Sequence, residues 1–275
     1  MVQYPKNEKL LGRKDLEVFV WTVADSYRIE KGTMDVEEVG DGTMTHPLAD
    51  PELFPSFARL GAKGEPSQSK ILGWVEEHGL LQREDENLPR IYRKRVNQSS
   101  ISVTNFRKEV KRANSATHLY HGLFTGGPEV LKARISTLRE QQSSPTARPL
   151  AEIDQWLVEN WNEEEYETGY GLVHPSFRAY AMLRGLVTRR ISQVRLSFFE
   201  EEDMLGGPAK GYKPAQSWDC PDLLSAIWLQ FYLAMTGTSA MKVCENPACR
   251  TPFPAPRKDK RFCTDTCRSN ARHYR

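Results

Sequence analysis

Cys244-Glu245-Asn246-Pro247-Ala248-Cys249 and, after thirteen intervening residues, Cys263-Thr264-Asp265-Thr266-Cys267 decide how the rest of the chain is read. The first is a Cys-x4-Cys pair and the second a Cys-x3-Cys pair. Four of the five cysteines lie here, and only Cys220 falls elsewhere. Zinc takes four thiolates in a tetrahedron, and two short ligand pairs deliver them at little loop-closure cost. Disulfide pairing of the same four cysteines is the alternative. The spacing within each pair suits chelation. Met1 to Lys14 carries no apolar stretch followed by a small-residue cleavage site, so no secretory signal is expected. A reduced, cytoplasmic, zinc-bound state is the expectation.

The chain is 275 residues long, 39% hydrophobic and 27% charged, which suits a folded domain with a polar surface, or two smaller ones. No run reaches the about 18 apolar residues of a membrane span, so no membrane partner is expected. The net charge of +2 is unevenly spread. Residues 242–275 hold nine of the 38 Lys and Arg but three of the 36 Asp and Glu, giving the tail +6 and the preceding residues −4. Four thiolates and one zinc would lower the tail by two charges. A basic module on a mildly acidic body is the asymmetry of a nucleic-acid contact.

Taken in order, residues 1–15 read as a loose start. Leu16 to Val23 is β-branched and aromatic, and suits a strand or a helix start. Gly32 to Pro55, rich in Gly, Asp, Thr and Pro, reads as turns and loop. Ser67 to His78 is a helix capped by Ser67 or Ser69 and stopped by Gly79. Asn105 caps a second helix, whose Phe106, Val110, Ala113, Thr117, Tyr120 and Phe124 recur three and four apart. Pro128 opens a third helix reaching about Glu140. Gln141 to Pro149 is the best linker candidate, a sub-boundary near 141–149. Leu150 to Trp161 and Pro175 to Ser192 read as helices, Val194 to Phe199 as a strand and Gly206 to Trp218 as a loop. Asp219 to Thr236 is a helix apolar nearly all round, which places it in the centre of the body. The expected fold class is mainly α, with minor β: a helical body over 1–240 and a zinc finger over 241–275.

Within the finger, Asn246-Pro247 makes the tight turn between Cys244 and Cys249. Thr251 to Phe253 leaves as a strand, and Pro254 to Arg261 forms a basic hairpin loop returning through Phe262. Thr264 or Asp265 caps a tail helix. Knuckle, hairpin and helix in that order make a treble clef. Cys-x-Asn-Pro-x-Cys, an aromatic, a basic loop, aromatic-Cys and Cys-Arg together resemble the C-terminal zinc fingers of bacterial proteins of the CGNR type. The resemblance covers about residues 242–275. It implies a helical N-terminal region and a role in transcription regulation. Where that family has Cys-Gly-Asn-Arg, this chain has Cys267-Arg268-Ser269-Asn270, and Phe262 stands where it has Trp.

Arg268, Arg272 and Arg275 fall at i, i+4 and i+7 on one face of the tail helix, with Arg257, Lys258, Lys260 and Arg261 beside them. Several cations on one surface are what double-stranded DNA phosphates require. The expected function is a zinc-binding, DNA-contacting transcription regulator whose body senses a ligand, forms a homodimer or binds a partner. The alternative is a protein-interaction module, as in a defence or stress complex, in which the finger is structural. No phosphate loop, dinucleotide fingerprint, nucleophile triad or open zinc position is readable, so no enzyme is expected. His118 and His121, three apart on a helix, read as core or surface histidines. Glu163–Glu165, Glu167 and Glu200–Asp203 read as solvated acidic runs. Cys220 reads as a packed thiol, and His273 as unnecessary beside four thiolates. Arg90–Arg95 and the Arg107–Arg112 face read as solvated, with a second positive surface as the alternative.

Overall fold

The computed structural model describes residues 21–38, 43–45, 47–62, 64–81, 101–124, 128–145, 149–161, 166–168, 171–173, 175–199, 215–236, 241–246, 249, 251–255 and 259–272. The chain is mainly helical, with short antiparallel strand pairs. The helix Leu223–Met235 (α7) lies at the centre. Asp222 starts it, its side chain accepting a 2.7 Å hydrogen bond from the Ser225 amide. Leu224, Ile227, Trp228, Leu229 and Phe231 are all buried, so the apolar circumference is covered on most sides, as expected. Pro221 lies just before the cap rather than in the first turn.

Helices α1 (Leu53–Leu60) and α6 (Pro175–Arg190) pack on α7. The 22-residue α3 (Val103–Phe124), about 33 Å long, carries α1, α4 (Pro128–Gln142), α5 (Glu152–Asn160) and α6 along its length. The helix α2 (Gln68–His78) has Ser67 as its cap and ends at Gly79, whose φ of 91° only glycine adopts readily. Phe54 stacks on Phe231 at 4.6 Å, and Phe57, Trp74 and Phe106 form a second aromatic knot joining α1, α2 and α3. The Gly122 backbone of α3 lies so close to α4 that an added Cβ would clash with the Leu131 side chain.

The stretch expected to be loop is the main correction. Strands β2 (Ser26–Glu30) and β3 (Thr33–Glu38) form a hairpin, and β3 also pairs with β5 (Ile101–Ser102). The turn is Lys31-Gly32, with φ of 49° and 82°, a two-residue connection whose twist suits a hairpin. Buried Tyr27 alternates with exposed Arg28, and Met34 is fully buried. Strand β1 (Trp21–Val23) pairs with β4 (Thr43–Thr45), settling that part of Leu16–Val23 as strand; Leu16 to Val20 lie outside the described residues.

The start of helix α1, Leu53 to Pro55, was also expected to be loop. Pro55 falls in its first turn, where its missing N–H is tolerated. Gln230 of α7 holds its start: the side-chain oxygen accepts from Phe54 N at 3.0 Å, and the amide nitrogen donates to Pro47 O and Asp50 O. Asn105 lies inside α3 rather than capping it. The strand pair β6 (Tyr166–Thr168) and β7 (Gly171–Val173) precedes α6. The expected 194–199 strand is present as β8 (Arg195–Phe199). It pairs with β9 (Ala215–Asp219), which replaces the end of the expected Gly206–Trp218 loop.

Gln230→Ala removes three bonds to backbone at one place. It should destabilise the chain by about 1–3 kcal/mol in urea unfolding. Unchanged stability would show that α1 is held by its aromatic face alone.

Candidate metal centre

Two strands carry the first cysteine pair. Strand β10 (Met241–Val243) runs antiparallel to β11 (Pro252–Pro254), with Val243 opposite Pro252. Cys244 and Cys249 lie in the connection between them. Cys244 N donates to Thr251 O at 2.9 Å, and Cys249 N to Asn246 O at 2.9 Å. The second pair lies at the start of α8 (Asp265–Ala271). Thr264 caps this helix, its hydroxyl accepting from Cys267 N at 3.1 Å. The expected hairpin therefore closes elsewhere. β11 pairs backward with β10, while 255 and 259–262 form no strand. The return is held instead by Glu245 N donating to Arg261 O at 3.1 Å.

The four sulfurs of Cys244, Cys249, Cys263 and Cys267 all lie within 4.8 Å of one another. Cys249 and Cys263 Sγ are 3.7 Å apart, and Cys263 and Cys267 Sγ 3.4 Å. A tetrahedral thiolate site with metal–sulfur bonds of about 2.3 Å has sulfurs about 3.8 Å apart. None of the four is in a disulfide. The cluster can hold a metal ion, and the soft donor set suits a thiophilic one. Burial pushes the Cys244 thiol up to about 12, hydrogen bonds to the Cys263 and Asn246 backbones offsetting only part of it. Burial, with Cys267 and Cys249, also raises Cys263. Burial works to raise Cys267 too, but hydrogen bonding by Thr264, Cys263, Cys249 and Asn246 outweighs it and brings this thiol to about 7.

Around the sulfurs the apolar content is small: Phe253 and Ala255 are buried with Cys244, and Phe262 packs beside them. This cluster is separate from the main core. The strands are nonetheless docked, β11 against α1 and β10 against α3. Two partners were not legible from the spacing. Thr251 Oγ1 lies 2.9 Å from Cys249 Sγ and 3.9 Å from Cys263 Sγ, a hydroxyl placed to orient two ligands. Arg261 Nε donates to Glu245 Oε2 at 2.7 Å, and Nη2 bonds the same oxygen. The hydrogen bond from Arg261 holds the Glu245 carboxyl below its ordinary range, and the charges of Arg261, His121 and Lys242 add to it.

The expected basic residues divide. Lys260 Nζ stands 5.3 Å over the Phe253 ring, and Arg261 is committed to Glu245. Arg268 pairs with exposed Asp265 at 3.4 Å, and Arg272 is exposed. Arg257, Lys258 and Arg275 lie outside the described residues, as do His273, Arg90–Arg95, Glu163–Glu165 and Glu200–Asp203. Cys220 is buried, as expected. The Arg107–Arg112 face is not simply solvated: Arg107 and Lys111 bond backbone carbonyls, and Arg112 bonds Glu109. Among the described residues no helix is long and apolar enough to cross a membrane. Comparison with protein-family models, with curated proteins and with solved structures finds no match.

Without metal, Cys244 and Cys263 keep their protons at neutral pH, so a metal must displace them. Metal loading should release protons, and competition with a chromophoric chelator should show tighter binding at about pH 8 than at about pH 6.5. Equal affinity at both would exclude these thiols as ligands. Cys263→Ser should abolish stoichiometric metal by elemental analysis. Because β10 and β11 are docked on α3 and α1, it should also lower the melting temperature of the body; an unchanged melting temperature would mean that the docking carries no stability.

Proposed function

We propose that the chain is a zinc-binding protein that contacts double-stranded DNA as a cytoplasmic transcription regulator, and not an enzyme. Zinc is the reading for the metal because four thiolates in a tetrahedron are its commonest structural site, and one closed to substrate. The observation that carries the DNA reading is α8, a helix with no buried residue that holds Arg268, with Arg272 four residues on as its C-cap. The module is anchored through β10 and β11 on one side, which leaves such a helix able to lie on a phosphate backbone. The resemblance of residues 242–275 to CGNR-type treble-clef fingers points the same way. So small a surface binds weakly alone, and the body or a homodimer would add contacts.

A second reading, a protein-interaction module with a structural finger, is favoured by two observations. Lys260 and Arg261 are spent inside the module. Phe124 and Phe177 stand 51% and 63% exposed, and Tyr180 packs edge-on against Phe124 at 5.7 Å, a surface suited to an apolar partner.

The deciding experiment is a salt series of zinc-loaded protein on generic duplex DNA. The DNA reading expects micromolar or tighter binding with a steep salt slope. Replacing Arg268 and Arg272 by Ala should reduce that slope by about two without loss of zinc. No binding at low salt would leave the interaction reading, and unchanged binding by the double variant would exclude α8 as the contact.

A further inference from the structure

A cavity of about 450 Å³ opens where the end of α1 and the following turn meet α3, α4 and α5. It is far from the sulfur cluster in sequence and shares none of its residues. Its volume lies within the about 300–1,000 Å³ of small-molecule sites. Arg107, Lys111 and His118 of α3, Arg134 of α4, Asp154 of α5 and Glu65 of the turn line it.

The way Arg107 and Lys111 are held sets them apart from the ion-paired arginines beside them. Arg112 and Arg190 both bond Glu109 at 2.6 Å, and Arg59 bonds Glu52, so carboxylates cancel their charge. Arg107 Nε instead donates to Pro66 O at 3.2 Å, and Lys111 Nζ to Pro149 O. A carbonyl positions a cation without neutralising it. Two cations from one turn of α3 are thus fixed at the cavity by loops on its two sides, with charge left over. Arg134 adds to this. One of its terminal nitrogens meets Asp154 Oδ2 at 3.2 Å, while its Nε–H is buried without an acceptor. A buried guanidinium donor without an acceptor is costly, and an anionic oxygen is the acceptor a guanidinium takes best. Buried Asp154 is already satisfied by Arg134 and by the Ser115 hydroxyl at 2.6 Å, so it does not oppose an incoming anion as an isolated carboxylate would.

We propose that this cavity binds a small organic anion, a metabolite-sized molecule carrying a carboxylate or phosphate group. Arg107, Lys111 and Arg134 take the anionic oxygens. The Ser115 oxygen, its proton directed to Asp154, accepts from a hydroxyl or amine on the ligand. This site stands whether or not the four-cysteine module meets DNA.

The test uses the whole metal-loaded chain in isothermal titration, with pyrophosphate and citrate as probes at constant ionic strength. At least one probe should bind saturably, one per chain, with Kd of about 1 mM or tighter. Lys111→Gln and Arg107→Gln should each weaken it by about tenfold or more while metal content and melting temperature stay as in the parent. Arg134→Lys keeps the charge beside Asp154 but loses the fork, and should weaken it too. Preference for pyrophosphate would identify a phosphate ligand, and preference for citrate a carboxylate. Absence of saturable binding by both probes would overturn the proposal. So would unchanged affinity in both glutamine variants, or the same response from sodium chloride at matched ionic strength.

Discussion

A helix that is apolar nearly all round must be covered on most sides, and α7 imposes that demand on the rest of the chain. Phe54 of α1 stacks on its Phe231, Tyr120 of α3 reaches its last turn to donate to Ala234 O, and α6 covers a further side. Its first turn is tied back by Leu224 N donating to Leu81 O, just beyond α2. Gln230 is the one amide on this helix, and its position explains why it is tolerated there. Its oxygen and nitrogen are all used on the backbone leading into α1. A half-buried amide bonded three times to backbone favours one arrangement of α1, because any slip of α1 would break these bonds together.

That placement gives α1 two duties. Through Phe54 and Phe57 it faces α7 and α3, and elsewhere along its length it receives β11. Asn114 of α3 donates to Ala58 O, and Gly61 lets α3 approach closely, since a Cβ there would meet Val110 Cγ1 at 3.1 Å. An eight-residue helix therefore joins the main core, the sulfur cluster and the rim of the cavity. The four-cysteine module needs such support. Phe253, Ala255 and Cys244 are too few buried groups to fold a segment of that size, so docking on the body supplies part of what an apolar core would, and the four sulfurs can supply more by holding a metal.

Elements with a long or strongly periodic apolar pattern were legible in the sequence. α2, α4, α6 and α7 stand within a few residues of expectation because caps and stops were written as Ser67, Pro128 and Gly79. The cysteine spacing likewise told which four sulfurs would meet. What was missed depends on contacts distant in sequence. The β2–β3 hairpin turns on Lys31-Gly32, and a lysine in the left-handed region is no strong turn signal. Helix α1 is too short to show a period, and its start depends on Gln230, 176 residues from Phe54. The docking of β10 on α3 and β11 on α1 likewise joins segments distant in sequence. Arg107 and Lys111 read as surface residues because the carbonyls that hold them, Pro66 and Pro149, belong to other segments.

Counting charges along the chain and asking what each charge does in the fold give different answers. The tail is formally basic, yet Arg261 closes a loop on Glu245 and Lys260 lies over Phe253, so these cations stabilise the module before they meet anything else. Arg268 is different in kind. Its partner Asp265 is almost wholly exposed and three residues away on the same helix, so water screens the pair and the ion pair is worth little. A phosphate can replace such a partner at small cost. It cannot replace Glu109, which is buried and shared by two arginines, without leaving a carboxylate orphaned in the core. Cations available to an outside anion are therefore those held by carbonyls or by exposed neighbours, among them Arg268 on α8 beside the sulfur cluster and Arg107 and Lys111 at the cavity between α3, α4 and α5.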